Sequence, residues 1–209
     1  MPVIVVANPK GGVGKSTLST NLAGYLASQG KSVMLGDVDR QQSAATWLGL
    51  RPATANPIRA WDTGADLRVR PPKGTTHVVL DTPAGLHGKR LDEVLKIATR
   101  VLVPLQPSIF DIHATHDFLR RLADHKESHK GAHKLEVGIV GMRSRDGTIS
   151  ADHLKAFLGT QEFPVLTHLR DTQNYIHLAA QGLTLWDVAP SRVERDLEQW
   201  QPLIAWLSD

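Results

Sequence analysis

The chain has 209 residues, 41% hydrophobic and 22% charged, with a net charge of +3 and no cysteine, which is enough length for one substantial core of ordinary globular composition. The missing cysteines exclude a disulfide framework, thiolate zinc sites and cysteine-held iron–sulfur clusters. No run approaches about 18 consecutive apolar residues and no basic segment leads into an apolar one, so neither a membrane span nor a signal peptide is predicted; a single cytoplasmic domain over residues 1–209 is.

Taken in chain order, the apolar runs are "VIVVA" (residues 3–7), "SVMLGD" (32–37), "HVVLD" (77–81), "VLVPLQ" (101–106), "LEVGIVGM" (135–142) and "PVLTHL" (164–169). Short, nearly continuous and rich in Val and Leu, they read as strands buried on both faces. Helical spacing lies between them at Leu18, Leu22, Tyr25 and Leu26, at Leu91, Val94, Leu95 and Ala98, and at Phe118, Leu119 and Leu122. Gly30 follows the first helix where a left-handed stop is expected. Residues 51–74, rich in Pro, Thr, Ala and Gly, read as irregular surface with a short strand near 58–61. Strand alternating with helix predicts an α/β fold, a mostly parallel twisted sheet with helices on both faces.

The first strand runs into "NPKGGVGKST" (residues 8–17). A buried strand, a glycine-rich turn and a helix opening on Ser-Thr are the setting in which this pattern means a phosphate-binding loop. Gly11, Gly12, Val13 and Gly14 supply backbone N–H groups to phosphate oxygens, and the helix start adds its positive end. Lys15 reaches the β- and γ-phosphates, Ser16 ligates Mg²⁺, and Thr17 completes the loop-to-helix junction. A second lysine, Lys10, stands where the usual pattern begins with glycine.

The segment "KGGVGKST" resembles the deviant Walker A motif of the ParA/MinD family of ATPases, within the class that includes the nitrogenase iron protein. The resemblance implies a P-loop NTPase fold with ATP and Mg²⁺ as ligands. It also implies that Lys10 crosses a homodimer interface to the ATP held by the other subunit, which accounts for two lysines five residues apart. The resemblance continues through "VLVPLQPSIFDIHATHDFL" and "YIHLAAQGLTLWD" and covers residues 3–189.

Hydrolysis requires carboxylates at the ends of neighbouring strands. The sequence supplies Asp37 and Asp39 in "LGDVDRQQSAATWLG" and Asp81 in "VVLDTPAG". By the resemblance Asp39 orients the attacking water, Asp37 lies near Mg²⁺, and Asp81 is the Walker B aspartate that holds Mg²⁺ through water; residues 82–85 form the second switch. An aspartate ending a strand is equally a helix cap, an alternative open for Asp37. Arg40 and Gln42 replace the Pro and Gly common in the family's first switch. Met142-Arg143 stands where many relatives carry an Asn-Arg pair whose Asn reads adenine.

The first strand begins at residue 3, so no N-terminal helix-turn-helix is expected, and the chain is similar to the short ParA form. Near the C-terminus Val193, Leu197, Trp200, Ile204 and Leu207 form one apolar stripe, but Glu194, Asp196, Glu198 and Asp209 make the segment acidic. Docking onto the body is expected rather than membrane attachment, with Pro202 kinking or dividing the helix. Basic residues gather later in the chain, at Arg120, Arg121, Lys126, Lys130, Lys134, Arg143, Arg145, Arg170, Arg192 and Arg195. By analogy with short ParA proteins, Arg143, Arg145, Arg170, Arg192 and Arg195 are the candidates for nonspecific contact with DNA phosphates; ordinary solvated faces are the alternative. His125, His129 and His133 fall at helical spacing, but Gly131 interrupts the helix and no metal site is expected.

The resemblance thus implies a slow ATPase that dimerises with ATP, binds nucleoid DNA and positions a plasmid, chromosome or other cargo with a ParB-like or cargo adaptor. Alternatives are a MinD-like membrane-associated ATPase and a metabolic P-loop synthetase.

Overall fold

The computed structural model describes residues 1–63, 67, 70–128, 135–144, 148, 156–157, 159 and 161–208, and the side chains of these except 109–113 and 128. Seven strands, β1 (Val3–Val6), β2 (Val33–Asp37), β3 (Ile58–Trp61), β4 (His77–Asp81), β5 (Arg100–Leu105), β6 (Glu136–Ser144) and β7 (Val165–Arg170), form one sheet in the order β3-β2-β4-β1-β5-β6-β7. Every pairing is parallel. Among the described residues the α-helices with stated bounds are α1 (Lys15–Ser28), α2 (Ser43–Leu50), α3 (Gly88–Ile97), α4 (Ile109–Ser128), α5 (Gln173–Ala179) and α6 (Glu194–Ser208).

Strand alternation divides the core into two layers. Val3 and Val5 of β1, with Val78 and Leu80 of β4 and Val101 and Val103 of β5, pack under Leu91, Val94 and Leu95 of α3 and Phe118, Leu119 and Leu122 of α4. Ile4 and Val6, with Val33 and Leu35 of β2 and Val79 of β4, face Leu18, Leu22 and Leu26 of α1 and Trp47 of α2. Burial on both faces is the reason these strands are nearly continuous in Val, Ile and Leu.

The segment around β3 contributes to the core, contrary to the expectation of surface: Ile58 and Trp61 are buried. Arg51, at the end of α2, forks onto Asp187, with Nη2 to Oδ1 at 2.9 Å and Nη1 to Oδ2 at 3.0 Å, and also donates to the carbonyl of Gly182. Both side chains are almost fully covered, 4% and 2% exposed.

Helix α6 docks as expected, with Val193 at its start, Trp200 and Leu203 buried. Pro202 lies inside one continuous helix rather than dividing it. The division offered as one alternative is absent, and two bonds hold α6 to the sheet: the Thr167 hydroxyl of β7 donates to the carbonyl of Gln199, and Arg100 of β5 donates to that of Leu207. No helix among the described residues is long and apolar enough to cross a membrane.

Candidate nucleotide-binding site

The C-terminal ends of β1, β2 and β4 lie side by side, where an open α/β sheet has its ligand crevice. The loop after β1 reaches α1 through Gly12 at φ 76° and Gly14 at φ 95°, left-handed conformations open to glycine at little cost. At Gly14 space adds a second constraint, because a Cβ would stand 2.8 Å from Met142 Cε. Gly11, Gly12, Gly14, Lys15, Ser16 and Thr17 line a cleft of about 710 Å³ together with Asp39, Arg40, Thr82 and Arg143. Val13 is fully buried and takes no part in that lining.

Lys15 is 8% exposed, and its Nζ donates to the carbonyl of Lys10 at 2.7 Å. Burial pulls its pKa down, while Asp81 and Asp39 act to hold the charge. Lys10 is half-buried and its side chain does not line the cleft of its own subunit; its N–H donates to Asn8 Oδ1 at 2.9 Å.

Asp37 and Asp81 are register partners on neighbouring strands. Asp81 is 1% exposed and accepts from Ser19 Oγ at 3.1 Å. Burial pushes its pKa up to about 6; Asp37 adds to the rise, and Ser16, Ser19 and Lys15 oppose it. Asp37 accepts from the N–H of Asp39 at 3.0 Å with Oδ1, and from those of Ala44 and Ala45 at 2.8 and 3.1 Å with Oδ2. It therefore caps α2 whatever else it does, and this carboxylate is needed there because Gln42, at φ 49°, gives the helix no side-chain cap. Asp39, which lines the cleft, is held in its turn by the N–H of Gln41 at 3.0 Å.

Two buttresses were not singled out in the sequence. Asn8, fully buried, donates to the carbonyl of Pro104 at 2.8 Å and to Thr115 Oγ1 at 2.9 Å while holding Lys10, so it ties the loop to β5 and α4. Gln106 donates to the carbonyl of Gly12 at 2.7 Å. Their polar character among apolar strand ends was the available signal. Residues 82–85 are tied to β1 and to the loop as well: Thr82 Oγ1 donates to the carbonyl of Val6 and the N–H of Gly85 to that of Pro9.

The basic candidates separate. Arg143, at φ 51°, lines the phosphate cleft. Arg170 is paired through Nε with Asp196, which is fully buried and also bonded by Asn174. Arg192 and Arg195 are exposed just before and within the first turn of α6, and Arg145 lies outside the described residues, as do Lys130, Lys134, His129, His133 and Asp209. No group of three or more His, Cys, Asp or Glu among the described residues could hold a metal ion.

Comparison with known proteins matches residues 4–185 to the CobQ/CobB/MinD/ParA nucleotide binding domain family. "Maintenance of carboxysome distribution protein A" of Gloeobacter kilaueensis is 37% identical over 53% of this chain and 51% of its own length, so the match spans about half of that relative. "Protein ParA" of Rhizobium radiobacter is 29% identical over 71% of this chain and 70% of its own. Among solved structures, a putative plasmid partition protein of Borrelia burgdorferi bound to AMPPNP superposes with a TM-score of 0.71 at 17% identity, covering 98% of each chain.

Proposed function

Since this chain belongs to the CobQ/CobB/MinD/ParA family of nucleotide-binding domains, we propose that it is a ParA-like ATPase that dimerises around ATP, binds DNA without reading sequence and positions a cargo through a ParB-like or other adaptor. One observation carries the reading: the phosphate loop, Lys15, Ser16 and Asp39 converge on a single cleft at the carboxyl ends of the strands. The glycine-rich backbone cradles the phosphates, and Lys15 neutralises the β- and γ-oxygens. Asp39 orients the attacking water from the rim.

The donors around Ser16 suit Mg²⁺. They are all oxygen, and burial lifts the pKa of Asp81 to about 6 with Asp37 adding to the rise, so a cation there would relieve the cost of the charged carboxylate. Ser16 directly, with Asp37 and Asp81 through water, is the set we assign to this ion, whose charge would offset that of the phosphates. Lys10, whose side chain does not line its own cleft, is the residue we assign to the nucleotide of a second subunit, a role that rests on its resemblance to the family's signature lysine. Basal turnover is then slow, on the order of 10⁻² s⁻¹ or less, as in switch NTPases that wait for a partner.

The exposed Arg192 and Arg195 are the strongest DNA candidates, since Arg170 is paired and Arg143 faces the phosphate cleft. Such a protein would gather on the nucleoid. The burial of Trp200 and Leu203 leaves α6 little apolar surface for a membrane. The test is ATPase rate with and without duplex DNA, beside sedimentation on anionic liposomes. Hydrolysis with ATP-dependent DNA binding is expected; liposome binding would favour the MinD-like reading, and fast partner-free turnover a synthetase.

A further inference from the structure

Val38 joins the two aspartates at the end of β2, and every main-chain polar group of Val38 and Asp39 is taken. The N–H of Val38 donates to the carbonyl of Asp81 at 3.1 Å, the N–H of Asp39 to Asp37 Oδ1 at 3.0 Å, and the carbonyl of Asp39 accepts from the N–H of Gln42 at 3.2 Å. The fourth group, the Val38 carbonyl, lies past Asp37, the last residue of β2, and finds its partner outside the sheet: it accepts from Arg90 Nη2 at 3.1 Å. Arg90 stands in the first turn of α3, so one side chain spans from the segment that follows β4 to the segment that follows β2.

The place of that bond gives it a use. A cleft of about 550 Å³ lies beside the phosphate cleft, and Asp39 and Arg40 line both, so the peptide that carries Asp39 is the wall between them. Open space behind such a wall lets it shift. Arg90 closes it from that side, because it lines the second cleft together with Val38 and takes no part in the first. The Asp39 carboxylate has its own bond from the N–H of Gln41, but that bond is local to the turn and travels with it. What fixes the turn against the rest of the site is its main chain, and a guanidinium on a carbonyl is a charge-assisted bond. Arg90 is itself exposed and belongs to neither core layer.

We infer that Arg90 is a positioning residue for hydrolysis: its bond to the Val38 carbonyl ties α3 to the end of β2 and holds Asp39 where the attacking water requires it. The inference rests on the water-orienting role proposed above for Asp39 and adds the group that fixes that carboxylate from across the second cleft.

Steady-state phosphate release by the full chain with Mg²⁺ and ATP tests it on the wild type, Asp39→Ala, Arg90→Met, Arg90→Lys and Lys89→Met, the last removing an exposed cation from the neighbouring position. Arg90→Met is expected to lower kcat about tenfold with KM for ATP within about twofold of wild type, since misplacing a reacting group costs rate rather than binding. Arg90→Lys should recover much of the loss, because an ammonium on a long stem still donates to a single carbonyl, and Lys89→Met should match the wild type. In Arg90→Met, hydrogen exchange of peptides covering residues 37–42 should quicken while Tm stays within about 2 °C. A kcat for Arg90→Met within about twofold of wild type, a KM that rises as far as kcat falls, or an equal loss in Lys89→Met overturns the positioning role. An inactive Asp39→Ala beside a fully active Arg90→Met removes Arg90 alone. If the wild type releases no phosphate, or Asp39→Ala releases it as fast, the role proposed for Asp39 falls and this one with it.

Discussion

The buried ammonium of Lys15 is held by the main-chain carbonyl of Lys10, 2.7 Å away. The loop thus satisfies its own phosphate-binding lysine, and a ligand must replace that bond with its oxygens. The two lysines are coupled through one peptide group.

Lys15→Ala is expected to abolish ATP binding, seen as the loss of calorimetric heat. Lys10→Ala keeps the main-chain bond and should bind ATP within about threefold of wild type while losing ATP-dependent dimerisation in light scattering. A Lys10→Ala protein that dimerises with ATP as the wild type does would remove the cross-subunit role.

Asp39→Ala should separate binding from hydrolysis. Its carboxylate accepts one exposed local bond, from the N–H of Gln41, and its main-chain bonds to Asp37 and Gln42 survive the substitution, so stability should change by no more than about 1 kcal/mol. The expected product is an ATP-bound dimer that persists in light scattering. A monomer at saturating ATP would contradict the water-orienting assignment.

Asp81 predicts a pH dependence. Its pKa in the folded protein is about 6 against an ordinary 3.8, so between these values the native state holds the extra proton. Stability then falls as pH rises through that window and stays flat above it. Asp81→Asn removes the penalty, stabilising the ligand-free protein at pH 7.5 by about 1–3 kcal/mol, a rise in Tm of roughly 3–8 °C. In the wild type, Mg²⁺-dependent nucleotide affinity should decline as pH is lowered through about 6. Scanning calorimetry of both proteins across pH 4–8 checks the first expectation; a less stable ligand-free variant at pH 7.5 would refute it.

Arg51→Met should be among the more damaging single changes outside the cleft. It leaves Asp187, 2% exposed, with an uncompensated charge, for which a loss of about 3–5 kcal/mol is expected by urea unfolding. Arg51→Lys should recover only part of it, because an ammonium cannot make the two parallel bonds. A change below about 1 kcal/mol for Arg51→Met would show that the pair is not holding α2 to the turn beyond Gly182.

Much of this was legible in the sequence because it is encoded locally. Period and composition marked each strand, and the glycine spacing marked the phosphate loop, since a positive φ at Gly12 or Gly14 is a property of a few consecutive residues. The sequence therefore determined the alternating α/β order, the loop and the carboxylates that end β2 and β4. Tertiary structure alone decided which charges were spent: Arg170 on Asp196, Arg51 on Asp187 and Asp37 on the start of α2. It also placed Asn8 against Thr115, buried Trp61, and kept α6 whole across Pro202. A side chain's partner at the far end of the chain is chosen by how the layers close, and that closure optimises total burial and hydrogen bonding at once, so no local pattern carries it.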